Sequence, residues 1–203
     1  MPTRLGDFVG RIDASRRDSL APDPSLSNSM SGSPSPADEH RRAAAGSVAC
    51  AVVTVSDTRT LADDRSGGEI VVQLEAAGHR VVAREIVPDD PEQVAEAVSR
   101  LAADWRVQAV LLTGGTGVAP RDQTPEALEA LFTKRLPGFG ELFRMLSFAQ
   151  IGAAAMLSRA TAGMIERTVV FLMPGSTPAV RLALETLVLP ELAHVVKLAD
   201  KPG

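Results

Sequence analysis

Residues 111–132 read LLTGGTGVAPRDQTPEALEALF. The apolar run Leu111-Leu112-Thr113 closes on Gly114-Gly115-Thr116-Gly117, and a helix-forming stretch opens a few polar residues later at Thr124-Pro125. Strand, glycine loop and helix in that order make the repeating unit of a parallel α/β sheet. Glycines lift the steric limits on the backbone and let amide groups approach an anion. Thr124 as N-cap and Pro125 as first helical residue would aim free N–H groups and the positive end of the helix dipole at the loop, an arrangement that favours phosphate. Taken alone, GGTG is no more than a turn before a capped helix. Neither a Gly-Lys-Ser/Thr P-loop nor a G-x-G-x-x-G fingerprint is present.

The same alternation extends in both directions. CAVVTVS (50–56), RVVAREIV (80–87), VQAVLLT (107–113) and RTVVFLM (167–173) are apolar runs of strand length. Residues 67–78, 91–105 and 138–150 have helical periodicity, with Gly78 as a stop, Pro91 in a first turn and Asp90 as the cap before it. Residues 177–199 read as two helices divided at Pro190, and 153–165 as an extended hairpin or arm. The expected fold is α/β and doubly wound, a mainly parallel sheet with helices on both faces.

The length of 203 residues suits one domain with a sizeable core, and a net charge of −4 gives no nucleic-acid footprint. One cysteine, Cys50, excludes an intramolecular disulfide and a cysteine metal site, and its apolar neighbours predict a buried, inert thiol. No apolar run is long enough to span a membrane, and Asp7, Arg11, Asp13, Arg16 and Arg17 interrupt any signal-peptide core, so the expected location is the cytoplasm. Residues 1–46 read as an N-terminal extension, Pro/Ser-rich over 21–46, and 47–203 as the folded domain. Within the extension, Leu5, Phe8, Val9 and Ile12 have helical spacing, compatible with a short amphipathic helix or an unstructured arm.

Ligands of open α/β sheets bind beyond the carboxyl ends of the strands. Four segments fall there: Ser56-Asp57-Thr58-Arg59, Pro88-Asp89-Asp90, Gly114-Gly115-Thr116-Gly117 and Pro174-Gly175-Ser176. Asp122 lies between the glycine loop and its helix. Carboxylates facing a phosphate repel it unless a cation intervenes, so Asp89 and Asp122 suggest Mg²⁺, although each by itself is ordinarily a turn or capping aspartate. Glu141 and Arg144 have the i,i+3 spacing of a surface ion pair. Ser158-Arg159 is a polar pair after an apolar run. His40, His79 and His194 are scattered without metal-ligand spacing.

VTVSDTR (53–59), DRSG (64–67), PDD (88–90), LTGGTGVAPRDQTPEA (112–127), PGFGELFR (137–144), QIGAAAMLSRATAG (150–163) and FLMPGS (171–176) follow the order and spacing of the MoaB/Mog family of molybdenum-cofactor biosynthesis proteins. The chain resembles that family over roughly residues 48–199, and AAAMLSRATAG is closer to the MoaB branch.

The resemblance implies a molybdopterin-binding-domain fold and transfer of AMP from ATP to the terminal phosphate of molybdopterin, with Mg²⁺ required and pyrophosphate released. It implies Asp89 and Asp122 as catalytic, metal-holding residues. It also implies a ligand pocket lined by Ser56, Asp57, Gly114, Gly115, Thr116, Gly117, Thr124, Glu141, Ser158, Pro174, Gly175 and Ser176. The expected partners are molybdopterin, ATP, identical subunits in a homotrimer or homohexamer, and other proteins of the pathway. The physical chemistry agrees: a phosphate monoester, with a second pKa of about 6, is already a nucleophile at neutral pH and needs no general base. A pterin-binding or assembly module without turnover is the alternative. A nicotinamide oxidoreductase lacks its fingerprint. Phe139, Leu142, Phe143, Met145, Leu146, Phe148, Ile151, Met156 and Leu157, crowded into one short span, suggest a subunit interface.

Overall fold

Side chains along β1 (Ala49–Val55) alternate between two cores: Cys50 and Val52 enter one, Ala51, Val53 and Val55 the other. A strand buried on both faces needs helices on both, and the computed structural model, which describes residues 46–200, supplies them. The expectations for the Pro/Ser-rich extension, for the spacing of Leu5 to Ile12 and for His40 lie outside the described residues.

The other strands are β2 (Arg80–Val87), β3 (Ala109–Thr113), β4 (Lys134–Arg135), β5 (Thr161–Ile165) and β6 (Thr168–Met173), in the sheet order β2-β1-β3-β6-β5-β4. The first four in that order run parallel, while β5 is antiparallel to both β6 and β4. One core lies beneath α1 (Arg65–Ala76), α4 (Pro137–Ile151), α5 (Thr177–Ala183) and α6 (Leu189–Ala199), which contribute Ile70, Leu74, Phe143, Val180 and Leu192. The other lies beneath α2 (Pro91–Ala103) and α3 (Thr124–Leu131), which contribute Val94, Val98, Leu101 and Leu128. The fold is therefore the doubly wound, mainly parallel sheet expected.

The chain leaves β1 through α1 on one face and leaves β2 through α2 on the other, so the winding reverses between β1 and β3. A crevice opens at such a point because the adjoining loops diverge. Register brings four loops to it: Val55 pairs with Val87, Thr54 with Thr113 and Thr113 with Met173, so Ser56, Pro88, Gly114 and Pro174 leave the sheet along one edge.

Three local expectations are corrected. Residues 177–199 are not cut at Pro190: α5 runs through a π-helical turn, Leu184–Val188, into α6, whose first turn holds Pro190. The π turn widens the helix directly ahead of Pro190, with the Leu189 amide donating to Leu184 O, and so accommodates the proline ring within a continuous helix. Residues 153–165 are neither a free arm nor a hairpin of their own. Residues 152–157 form a 3-10 helix, and β5 makes its hairpin with β6 around Glu166, at φ 52°. Thr124 is not the cap of α3 but its first residue. Gln123 is the cap and makes no side-chain capping bond; its side-chain amide donates to Pro120 O at 2.9 Å, and the Thr124 hydroxyl lies beside Gly115. Asp90 does cap α2, accepting from the Gln93 amide at 2.9 Å.

Candidate active site

Three aspartates from three loops meet at the crevice. Asp57 follows β1, and its Oδ1 accepts from the Asp89 amide at 2.9 Å, joining the loops after β1 and β2. Asp89 sits half-buried at the end of β2. Asp122 arrives from the loop after β3, where its Oδ2 accepts from the Ala119 amide at 3.0 Å. The Asp89 carboxyl is held above the usual carboxylate range, first by burial, then by the charges of Asp122 and Asp57, against which Arg121 works. Arg121 pairs with Asp57 at 3.5 Å.

The glycine loop is shaped around these groups. Gly115 has φ 63°, and a Cβ there would lie 2.0 Å from Thr124 Oγ1 and 3.1 Å from Asp89 Oδ1. A Cβ on Gly117 would fall 2.3 Å from Asp122 Oδ2. Both positions must be glycine for the carboxylates to close on the loop. Thr124 Oγ1 is buried and has no hydrogen-bond partner. Leaving such a hydroxyl unpaired costs about 1–3 kcal/mol, a cost that a ligand atom in the crevice would remove.

Of the other sequence-predicted residues, Gly114 donates to Met173 O at 3.2 Å, and Thr113 Oγ1 donates to Pro174 O at 3.0 Å, so the Pro174-Gly175 turn lies against the glycine loop. Ser56 Oγ accepts from the amides of Thr58 and Arg59, which shapes its own loop. Ser176 caps α5, and Thr116 is buried. Glu141 and Ser158 are not brought to the aspartates. They line a neighbouring cavity of about 420 Å³ between α3, α4 and the segment before β5. Glu126 and Arg159 border both that cavity and the space around Asp122. The i,i+3 pair expected of Glu141 and Arg144 is replaced: Arg144 donates to the carbonyls of Ser158 and Ala160.

Sequence reading missed Arg159 and Arg121 as parts of this region, and it missed a buried polar cluster below the loop after β1. Asp64 accepts from Thr54 Oγ1 at 2.8 Å, from the Gly67 amide at 2.9 Å and from Arg84 at 3.1 Å. Burial alone would push its carboxyl up; these donors outweigh burial and hold it below the usual range. The readable signal was an aspartate three residues ahead of a helical glycine, the spacing of an N-cap and its amide. Cys50 is buried as expected, its thiol pushed up to about 12 by desolvation. His79 accepts from the Val48 amide at the opposite end of β1.

The sequence matches the family model described as "Probable molybdopterin binding domain" over residues 51–194. The chain belongs to the MoaB/Mog family. It is 53% identical over 160 residues to molybdenum cofactor biosynthesis protein B of Bacillus subtilis, covering 78% of this chain and 94% of that one. With the protein of the same name from Escherichia coli it shares 46% identity over 142 residues, 70% of this chain and 84% of the relative. Among solved structures, the tungsten cofactor synthesizing protein MoaB of Pyrococcus furiosus superposes with a TM-score of 0.69 at 40% identity, over 76% of this chain and 98% of that one. The six-stranded sheet and its flanking helices are thus the MoaB/Mog fold. As a MoaB/Mog chain it is a molybdenum cofactor biosynthesis protein with a molybdopterin-binding domain. Among the described residues no helix is long and apolar enough to cross a membrane.

Proposed function

We propose that this chain adenylylates molybdopterin in the cytoplasm, moving AMP from ATP to the terminal phosphate of the pterin and releasing pyrophosphate. The observation that carries the reading is Asp89 and Asp122 facing each other beside Gly115 and the unpartnered Thr124 hydroxyl. The Asp122 charge opposes ionisation of Asp89, and a cation between the two carboxylates would relieve that opposition. Among the described residues no three acidic, histidine or cysteine side chains are set to hold a metal. Mg²⁺ needs no such cage, since it commonly takes one or two carboxylates and completes its shell with water and substrate phosphates. Asp89 and Asp122 would hold it, and it would supply charge neutralisation on the transferring phosphoryl group.

An oxygen of the pterin phosphate forms a bond to the α-phosphorus of ATP. The bond from that phosphorus to the bridging oxygen breaks, and pyrophosphate leaves with the electron pair. The nucleophile is already ionised, so the chain has no proton to remove, consistent with His79 standing at the far end of β1. What the residues must do is align two anions, and the glycine loop and the Pro174-Gly175 turn form the surface against which they would lie. The assembly we infer is a homotrimer or homohexamer, supported by the solvent-exposed Leu142, Met145, Phe148, Ile151, Met156 and Leu157.

Purified protein incubated with molybdopterin, ATP and Mg²⁺ is the test. Stoichiometric pyrophosphate and an adenylylated pterin are expected. Molybdopterin bound without any pyrophosphate release would leave the chain a binding module and overturn the transferase reading.

A further inference from the structure

Asp122 is carried by a loop that the core does not hold. Gly117, Val118, Ala119, Pro120 and Arg121 are all exposed, Val118 at 69%. Such a segment opens easily unless polar contacts fix it, yet an aspartate that must face another carboxylate needs a fixed backbone. Beyond the local Ala119–Asp122 turn and the exposed Arg121–Asp57 pair, the contacts that supply this come from one side chain far along the chain. Arg159 Nε donates to Thr116 O at 3.4 Å, a terminal nitrogen donates to Asp122 O, and the other pairs with Glu126 in the first turn of α3. One planar guanidinium therefore grips both ends of the segment 116–122 and the helix that follows. Arg159 is itself anchored: Arg144 of α4 donates to the carbonyls on either side of it, Ser158 O at 3.4 Å and Ala160 O at 3.5 Å.

We propose that Arg159 is the positioning residue of the Asp122 carboxylate, with Arg144 holding Arg159 in place. The idea rests on the reading of Asp89 and Asp122 as a cation pair. The shape of the guanidinium is essential to it: three N–H groups diverge in one plane toward three fixed acceptors, which a lysine ammonium on a flexible stem does not reproduce. Arg159 also borders both the space around Asp122 and the cavity holding Glu141 and Ser158, so the same contact sets the wall between them.

The test uses the full chain and Mn²⁺ as a paramagnetic stand-in for Mg²⁺, titrated in the presence of ATP and followed by its electron paramagnetic resonance signal. Arg159→Met should weaken Mn²⁺ binding by about 10–100-fold, the usual effect of removing a partner that orients a metal ligand. Arg159→Lys should not restore it, and guanidinium ion added to Arg159→Gly should restore part of it. Amide hydrogen exchange over 117–122 in metal-free Arg159→Met should quicken, while Arg167→Met, which breaks the Arg167–Asp200 pair at the other end of the sheet, should leave both readouts unchanged. Should Arg159→Met fail to fold, Arg144→Met provides a milder version of the same loss. Wild-type Mn²⁺ affinity together with unchanged loop exchange in Arg159→Met would overturn the proposal. A wild-type protein that binds no Mn²⁺ with ATP would instead refute the cation pair, and the exchange arm would still decide whether Arg159 holds the loop.

Discussion

At the scale of single residues, the crevice is a place where folding stability is given up. Asp89 is held above its usual range, so its ionised form is disfavoured in the folded chain relative to the unfolded one. The sign follows: the cost is absent below the unfolded value near 3.8 and is present in full once pH has risen past the folded value. Asp89→Asn should therefore raise the melting temperature of the metal-free protein at pH 7, with a gain that shrinks toward pH 4, while abolishing adenylyl transfer; thermal scans across pH check it, and a lowered melting temperature at pH 7 would refute it. Asp64 works in the opposite sense. Its carboxyl is depressed, so its stabilisation is present above the unfolded value of 3.8 and is lost as pH falls through the folded value. Asp64→Asn should destabilise by about 1–3 kcal/mol at pH 7, because it weakens the buried acceptor of Arg84, Thr54 and the Gly67 amide. Urea titrations should show the gap to wild type closing only below about pH 3.8.

At the scale of elements, the strand-loop-helix unit from β3 to α3 is built by close approach. Gly115 leaves no room for a side chain between Thr124 and Asp89, so Gly115→Val must push the start of α3 away from the carboxylates. Its φ of 63° adds strain, since a β-branched residue is a poor fit in the left-handed region. The expected outcome is loss of binding for both ATP and molybdopterin, about tenfold or more, read by calorimetry. Unchanged affinity for both would mean that this loop is not the anion site. The π turn between α5 and α6 shows the same economy: one wide turn carries the helix past Pro190 without ending it.

At the scale of the whole molecule, the apolar span from Phe139 to Leu157 divides in two. Phe139 and Phe143 are buried, Phe139 against Phe171 at 5.3 Å between ring centroids, whereas Phe148 and Met156 are 63% and 77% exposed. The side chains that can meet a second copy are thus Leu142, Met145, Phe148, Ile151, Met156 and Leu157 on the outer face of α4 and the 3-10 helix. Phe148→Asp should convert the assembly to monomers of unchanged fold, by light scattering at micromolar concentration. Phe143→Asp should instead unfold the subunit, since losing a core phenylalanine costs about 3–5 kcal/mol before a buried charge is added. A wild-type monomer mass would refute the assembly.

Much of this was legible in the chain itself. Apolar runs of strand length alternating with helical periodicity dictate a parallel α/β sheet, because only helices on both faces can cover CAVVTVS or VQAVLLT. The glycines and aspartates beyond the strand ends pointed to the crevice for the same reason: register collects loops where parallel strands finish. Contacts between residues far apart in sequence were not legible. Nothing in the spacing of Arg159 says that it reaches back to Thr116 and Asp122, or that Glu141 and Ser158 belong to a separate cavity. Nor could helical periodicity divide Phe143 from Phe148 between core and surface, because α4 is apolar on more than one face. Local pattern determines which elements form and that strands such as β1 are buried on both faces. Which side chains converge on one point depends on how the sheet order and the crossovers bring distant segments together, and that is decided only when the chain packs.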